Sequence, residues 1–389
     1  MLDHTNVLHI NTSRSWGGLE LYTINLIKKI HESGECTALY CIPGSKIAIE
    51  AEKIGVKVFN AHKQARISIK DILNLSKIIK KYNYNIIHTH TRQDVWLVSL
   101  TLFFYKNVKQ IFSLYMSAPS KKGLIHRLIY GQVSAIASSS ELLNENIKTN
   151  YPLKPEQVYL LRYGRDLDLY QKYPQDSEEL RKKWNTSKDD IVIATMCRID
   201  PAKGVREIAE AILHLKPEIK SKIKIWIMGE PTLLQTSPSG LPIFEPAAYE
   251  LYIWLKEFVS LPTVENRIQL IPFQSDIIPF LNAMDIFVLG TYEETYSLSV
   301  IDAMSMGLPV IGTNSGGTPE QVKHLERGIL VSPKSSLEIA NAITKYIENP
   351  QLIIDHGANA KIWARNEHNW ENKLKNLNII YNKIWRNKL

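Results

Sequence analysis

The chain has 389 residues, 44% of them apolar and 22% charged, with a formal charge of +8. That is room for two domains of ordinary soluble composition, and the longest apolar run, residues 95–105, is too short to span a bilayer. No leader pattern opens the chain, and three scattered cysteines, Cys36, Cys41 and Cys197, lack metal-site spacing and fit a reducing cytoplasm.

The positive charge implies an anionic partner, but no helix-turn-helix, zinc-finger or RNP pattern points to nucleic acid. Residues 69–81 and 121–130 mix lysine and arginine with apolar positions. Such helices either lie on an anionic membrane surface or present a solvated lysine face.

In chain order, a first strand is predicted at residues 6–11. A polar loop follows, ending in Trp16-Gly17-Gly18, and then a helix to about residue 33. Adjacent glycines at a helix start either let backbone amides approach a ligand or simply make a tight turn. Further strands are predicted at residues 39–42, 56–59 and 85–88. The last leads into His88-Thr89-His90, and histidines two apart share one face of a strand. Without an accompanying carboxylate or cysteine cluster no metal is expected there, and a structural histidine is the plain alternative. Asp94 either serves function or caps the next helix. Strands at 109–113, 132–137 and 159–161 complete an N-terminal domain over 1–165, and the polar stretch 166–187 reads as a linker.

A strand at 191–196 opens the second sheet and runs into Arg198, Lys203 and a helix start. Guanidinium can grip a diphosphate bidentately and lysine adds a point charge, so this is an anion site unless both are ordinary surface cations. Residues 231–246, rich in Pro, Ser and Thr without periodicity, read as a long loop. A strand at 268–271 ends at Pro272-Phe273. The most informative stretch is 284–320, which is strand, acidic pair, helix, strand and glycine-rich turn, the unit of an open parallel sheet. Ligands sit at the carboxyl ends of such strands. Free amides at Tyr296, Ser297, Leu298 and Ser299 suit a phosphate, Glu294 suits sugar hydroxyls, and Asp302, eight residues on, a ribose. Residues 370–385 form an amphipathic closing helix.

Glu294-x7-Asp302-Ala303-Met304-x2-Gly307-x-Pro309-Val310 resembles the Glu-x7-Glu signature of retaining GT-B glycosyltransferases of family 4. Thr295-Tyr296-Ser297 stands in place of Gly-Phe-Gly, and Asp302 in place of the second Glu. The resemblance implies an α/β fold of two Rossmann-like domains facing a central cleft: an acceptor-binding domain at 1–165, a nucleotide-sugar-binding domain at 188–369, and a helix at 370–389 crossing back to the first. It also implies roles for residues elsewhere. Gly17 and Gly18 match a Gly-Gly-x-Glu segment facing donor phosphate or acceptor. His90-x3-Asp94-x-Trp96 resembles a segment of bacterial lipopolysaccharide and capsule transferases. Tyr115 stands where a histidine lies near the donor sugar, and Gly164-Arg165-Asp166 resembles the Gly-x-Asp of the domain junction. Arg198 and Lys203 match a diphosphate-binding Arg-x4-Lys-Gly, and the base packs near Phe273.

The implied activity is retaining, metal-independent front-side transfer from a UDP-sugar to a glycan or lipid-linked acceptor of bacterial surface polysaccharide. Arg198, Lys203, Glu294 and His90 would act in catalysis, without cofactor, and the protein would be cytoplasmic or peripheral at the inner membrane face. The rival readings are a catalytically silent GT-B binding subunit and a GT-B nucleotide-sugar epimerase. An NAD-dependent oxidoreductase is disfavoured because neither domain's first turn spells Gly-x-Gly-x-x-Gly.

Overall fold

The computed structural model describes residues 6–386 apart from 106, 238–240 and 265. It divides into two compact units, residues 1–164 with 370–389, and residues 165–369.

The first unit is built on strands β1 (Val7–Ile10), β2 (Thr37–Cys41), β3 (Lys57–Asn60), β4 (Ile86–Thr89), β5 (Lys109–Leu114), β6 (Val133–Ser138) and β7 (Val158–Leu160). They pair in parallel in the order β3-β2-β1-β4-β5-β6-β7. Every residue of β1 and β4 is buried, as expected of strands covered on both faces. Val7, Ile86 and Ile111 pack with Leu26 and Ile30 of the helix Gly18–Glu32 and with Leu377, Tyr381 and Ile384 of the helix Trp370–Arg386. Leu8, Ile10 and Ile87 face the other way, onto Leu75, Ile78, Leu97 and Val98. The closing helix, expected to return to the N-terminal domain, is therefore part of its core. Each of its buried apolar side chains contributes about 1.5–3 kcal/mol by leaving water.

The second unit has β8 (Ile191–Met196), β9 (Ile223–Met228), β10 (Leu233–Thr236), β11 (Pro242–Phe244), β12 (Ile268–Ile271), β13 (Ile286–Leu289), β14 (Val310–Thr313) and β15 (Gly328–Val331). Six of these form a parallel sheet in the order β12-β9-β8-β13-β14-β15.

Two stretches differ from the sequence reading. The 166–187 stretch is folded into this unit. Tyr170 lies in its core with Leu180 and Trp184 packed alongside, and Arg181 of the helix Pro174–Lys183 pairs with Asp285 at 2.9 Å. The 231–246 stretch, read as an unstructured loop, carries the antiparallel hairpin β10–β11; residues 238–240 of that expectation lie outside the described residues. Backbone pairing does not require the apolar alternation that was missing from the sequence there.

Strand order reverses once in each sheet, between β1 and β4 in the first and between β8 and β13 in the second. Loops leaving such a pair diverge, which opens a crevice at the strands' carboxyl ends.

Candidate functional site

In the second unit the crevice is shaped by glycine. Gly204 follows the turn Pro201–Lys203 with φ +64°, and a Cβ on it would stand 1.9 Å from the carbonyl oxygen of Gly290, just beyond β13. Only glycine allows both the left-handed backbone and this approach. The two loops are then tied together: Tyr292 N donates to Ala202 O at 2.9 Å and Thr291 Oγ1 to the same carbonyl at 3.2 Å. The turn after β14 grips the β13 loop from the other side. Thr313 Oγ1 donates to Thr291 O at 2.6 Å, Ser315 Oγ to Tyr292 O at 2.7 Å and Gly317 N to Glu294 O at 2.7 Å. Gly316, at φ +58°, would place a Cβ 2.1 Å from the Glu294 carbonyl oxygen.

These contacts fix Glu294 and Lys203 against each other. Lys203 Nζ donates to Glu294 Oε2 at 3.1 Å, with the side chains 25% and 19% exposed. Glu294 Oε1 accepts from Thr295 N at 3.1 Å. Arg198, just past β8, is exposed and makes no hydrogen bond or ion pair among the described residues.

The helix Leu298–Met306 starts beside this pair. Its N-cap is Ser297, whose Oγ accepts from Val300 N at 3.3 Å. Of the expected anion-binding amides, Ser297 N is already bound to Gln321 Oε1 at 2.8 Å, while Gln321 Nε2 returns a bond to Ser297 O at 2.8 Å. Tyr296 is buried, its hydroxyl 3.4 Å from His368 Nε2. Leu298 and Ser299 keep first-turn amides without a partner among the described residues, at the positive end of the helix dipole.

Asp302, expected to hold a ribose, is engaged by side chains of its own unit. Its Oδ1 accepts from Arg165 Nε and from the Tyr170 hydroxyl, each at 2.6 Å, and its Oδ2 from Arg165 Nη2 at 3.3 Å. Burial and the neighbouring Asp302 push the Tyr170 hydroxyl upward, so it stays a protonated donor. Phe273, expected near the base, is 68% exposed beyond β12.

In the first unit the crevice between β1 and β4 is closed by Asp94, which is fully buried. It accepts from Thr12 N at 3.2 Å, Thr12 Oγ1 at 2.5 Å and Thr91 Oγ1 at 2.6 Å. Thr91 caps the following helix by accepting from Asp94 N at 3.3 Å. Asp94 thus joins the β1 loop to a helix start; burial raises its pKa despite these bonds. The amide of Gly17 is not open to a ligand, because it donates to Glu20 Oε2 at 3.0 Å, and Gly18 begins the helix. Tyr115 stacks on Tyr163 at 5.4 Å and meets Tyr22 edge-on at 5.4 Å, its hydroxyl buried without a hydrogen-bond partner among the described residues.

His90 is also buried, 2% exposed, and its Nε2 lies 3.0 Å from His9 Nδ1. His88 bonds the Tyr381 hydroxyl at 2.7 Å and Ser113 Oγ at 2.8 Å. His9 went unnoticed in the sequence. Strand pairing sets it opposite His88, and one nitrogen from each of the three rings lies within 4.8 Å of the others, a group that could hold a metal ion. The ring planes meet at 16° for His9 and His90, 23° for His88 and His90 and 33° for His9 and His88. Burial holds all three well below the ordinary histidine range, His9 at about 3.

Comparison with known proteins covers both units. A Glycosyltransferase Family 4 model matches residues 16–169, and a Glycosyl transferases group 1 model matches residues 176–363. D-inositol 3-phosphate glycosyltransferase of Rhodococcus jostii is 24% identical over 308 residues, 74% of this chain and 64% of that protein. N-acetyl-alpha-D-glucosaminyl L-malate synthase of Bacillus anthracis is 22% identical over 65% of this chain and 58% of its own length. The chain therefore spans about three fifths of these curated relatives. Among solved structures, Anabaena HepE in complex with UDP superposes with a TM-score of 0.82 at 18% identity, over 97% of this chain and 100% of that one. The likeness establishes the GT-B fold.

Proposed function

We propose that this chain, which has the GT-B fold and matches two glycosyltransferase family models, transfers a sugar, with retention, from a nucleoside-diphosphate donor to a hydroxyl acceptor. The observation that carries this is the arrangement at the β8/β13 crevice. Unpaired Arg198, the Lys203–Glu294 pair and the open amides of Leu298 and Ser299 meet where a diphosphate and a hydroxylated sugar would lie side by side.

The barrier to such a transfer is charge separation between an oxocarbenium-like sugar and a departing diphosphate. Arg198, Lys203 and the two amides are donors fixed before reaction, and they stabilise charge that grows on the leaving oxygens. Glu294, whose carbonyl accepts from Gly317 N and whose Oε1 accepts from Thr295 N, orients sugar hydroxyls. In front-side attack the leaving phosphate takes the acceptor's proton, so no buried side chain need act as base. His90, buried and neutral, then acts through packing rather than by proton transfer.

UDP is the nucleotide favoured by the HepE complex, and the first unit is read as the acceptor domain. A bacterial surface-glycan acceptor remains part of the proposal, as does peripheral attachment to an anionic cytoplasmic membrane face. No helix among the described residues is long and apolar enough to cross a membrane. The capture of Asp302 by Arg165 favours a second reading, a binding subunit without catalysis; hydrolysis of UDP-sugar by the purified chain would exclude it. The primary test is a thermal-shift titration with UDP, GDP, ADP and CMP on the wild type and Lys203→Ala. Selective stabilisation by one diphosphate, weakened about tenfold in the variant through loss of a charge-assisted bond, is expected. Equal stabilisation of both proteins would remove Lys203 from the site.

A further inference from the structure

Three cations of the first unit lie near one another, with no acid among them in the described residues. Arg66 lies in the loop that leaves β3, Arg92 opens the helix after β4, and Lys121 sits in the loop after β5. The Arg66 guanidinium carbon is 5.8 Å from the centre of the Trp96 ring, and Trp96 meets His126 edge-on at 5.8 Å. Arg92 donates to the carbonyl of Ser117, in the loop that holds Lys121, and its Nε is buried without a hydrogen-bond partner among the described residues. The groups feel one another: after burial, Arg92 and Arg66 lower the Lys121 pKa, and Lys121 and Arg66 lower that of His126. Among the described residues no carboxylate comes within ion-pair distance of Arg66, Arg92 or Lys121. Asp94, two residues from Arg92, is spent on Thr12 and Thr91. Arg92 and Lys121 are half-buried and Arg66 is exposed; like charges packed together repel unless an anion completes the group.

We propose that Arg66, Arg92 and Lys121 form a phosphate-binding site that holds a phosphate group of the acceptor. The inference rests on reading the first unit as the acceptor domain. Two planar guanidinium forks and one ammonium offer more donors than a carboxylate can accept, and they match a phosphate dianion in both geometry and charge. The helix Leu124–Tyr130 follows directly and exposes Leu124, Ile125 and Leu128 by 83%, 63% and 57%. A phosphate in this site is therefore either that of a phosphorylated acceptor or that of a lipid headgroup.

Isothermal titration of the full chain separates these sources. The probes are glycerol 3-phosphate, L-malate, and phosphatidylcholine vesicles with and without phosphatidylglycerol; the proteins are wild type, Arg66→Gln, Lys121→Gln and Arg92→Gln. Glycerol 3-phosphate should bind the wild type and lose at least about tenfold in affinity in each variant, as loss of a charge-assisted bond predicts. Malate should bind more weakly than glycerol 3-phosphate. Arg66 and Lys121 tie down no backbone by side-chain bonds, so their variants keep the test sound if Arg92→Gln does not fold. Unchanged affinity in the variants, malate binding as tightly, or binding of neither glycerol 3-phosphate nor phosphatidylglycerol vesicles would overturn the site. Binding only to phosphatidylglycerol vesicles would overturn its assignment to an acceptor and make it a headgroup site. UDP is titrated alongside: absent UDP binding with intact glycerol 3-phosphate binding would sink the donor reading and leave this one standing.

Discussion

Replacing Asp302 by alanine separates a structural carboxylate from a ribose ligand. Asp302 receives three hydrogen bonds, two from Arg165 and one from Tyr170, at 2.6, 3.3 and 2.6 Å. The Arg165 and Asp302 side chains are 15% and 8% exposed, so water screens the pair little. Removing one partner of a buried pair costs about 3–5 kcal/mol, mostly because the other charge loses its compensation. For a unit of this size each kcal/mol lowers Tm by about 2–4 °C. Calorimetry should therefore show the second unit melting roughly 6–20 °C lower in Asp302→Ala. The double variant Asp302→Ala/Arg165→Met should regain much of that loss, since no lone charge remains. UDP affinity, measured below the melting range, should change by less than about threefold, well under one charge-assisted hydrogen bond. A variant that melts within about 2 °C of wild type, under 1 kcal/mol, yet binds UDP more than about tenfold more weakly would refute the reasoning. Asp302 would then be the ribose ligand that the Glu-x7-Glu resemblance implies.

Gly316→Ala forces a Cβ to within 2.1 Å of the Glu294 carbonyl at φ +58°. It should displace Glu294 and abolish UDP-sugar hydrolysis or transfer while costing roughly 1–3 kcal/mol of stability. Gly204→Ala is harsher, with 1.9 Å to Gly290 O; a loss of at least about 3 kcal/mol is expected, read as a low Tm or insolubility, and a normal melt would contradict the loop packing described. Acid should destabilise the first unit. His9, His88 and His90 are held neutral below their ordinary 6.5, so below that pH the unfolded chain takes up protons that the folded one refuses. Stability then falls by up to about 1.4 kcal/mol per histidine per pH unit. Asp94, raised by burial, works the opposite way in the window just above the ordinary carboxylate value, without cancelling three histidines. Melts from pH 7 to pH 5 should show the decline, and His9→Gln should make it shallower; a flat profile would mean that the histidines are reached by water.

Much of the site was legible in the sequence because its parts are local. A strand, two cations and a helix start at 191–205, and a strand, acidic pair and capped helix at 286–306, are each set by a few neighbouring residues. Parallel-sheet topology then brings the carboxyl ends of β8 and β13 together, and Lys203 meets Glu294 across 91 residues of sequence. The hairpin at β10–β11 and the folded 166–187 stretch left no periodic signal, since backbone pairing and a few anchors such as Tyr170 hold them.

The sequence by itself determined the two α/β sheets, the closing helix, and the cations and carboxylate of the β8/β13 crevice, through apolar runs, glycines and caps that act over a few residues. Only the tertiary structure decided which polar groups remain free to act. Asp302 is claimed by partners 137 and 132 residues away, His90 by His9 at a separation of 81, and Ser297 by Gln321. Arg66, Arg92 and Lys121 become one group only when their strands have packed. A buried polar atom must find its hydrogen-bond partner wherever the fold places one, and strand register and sheet order set that place.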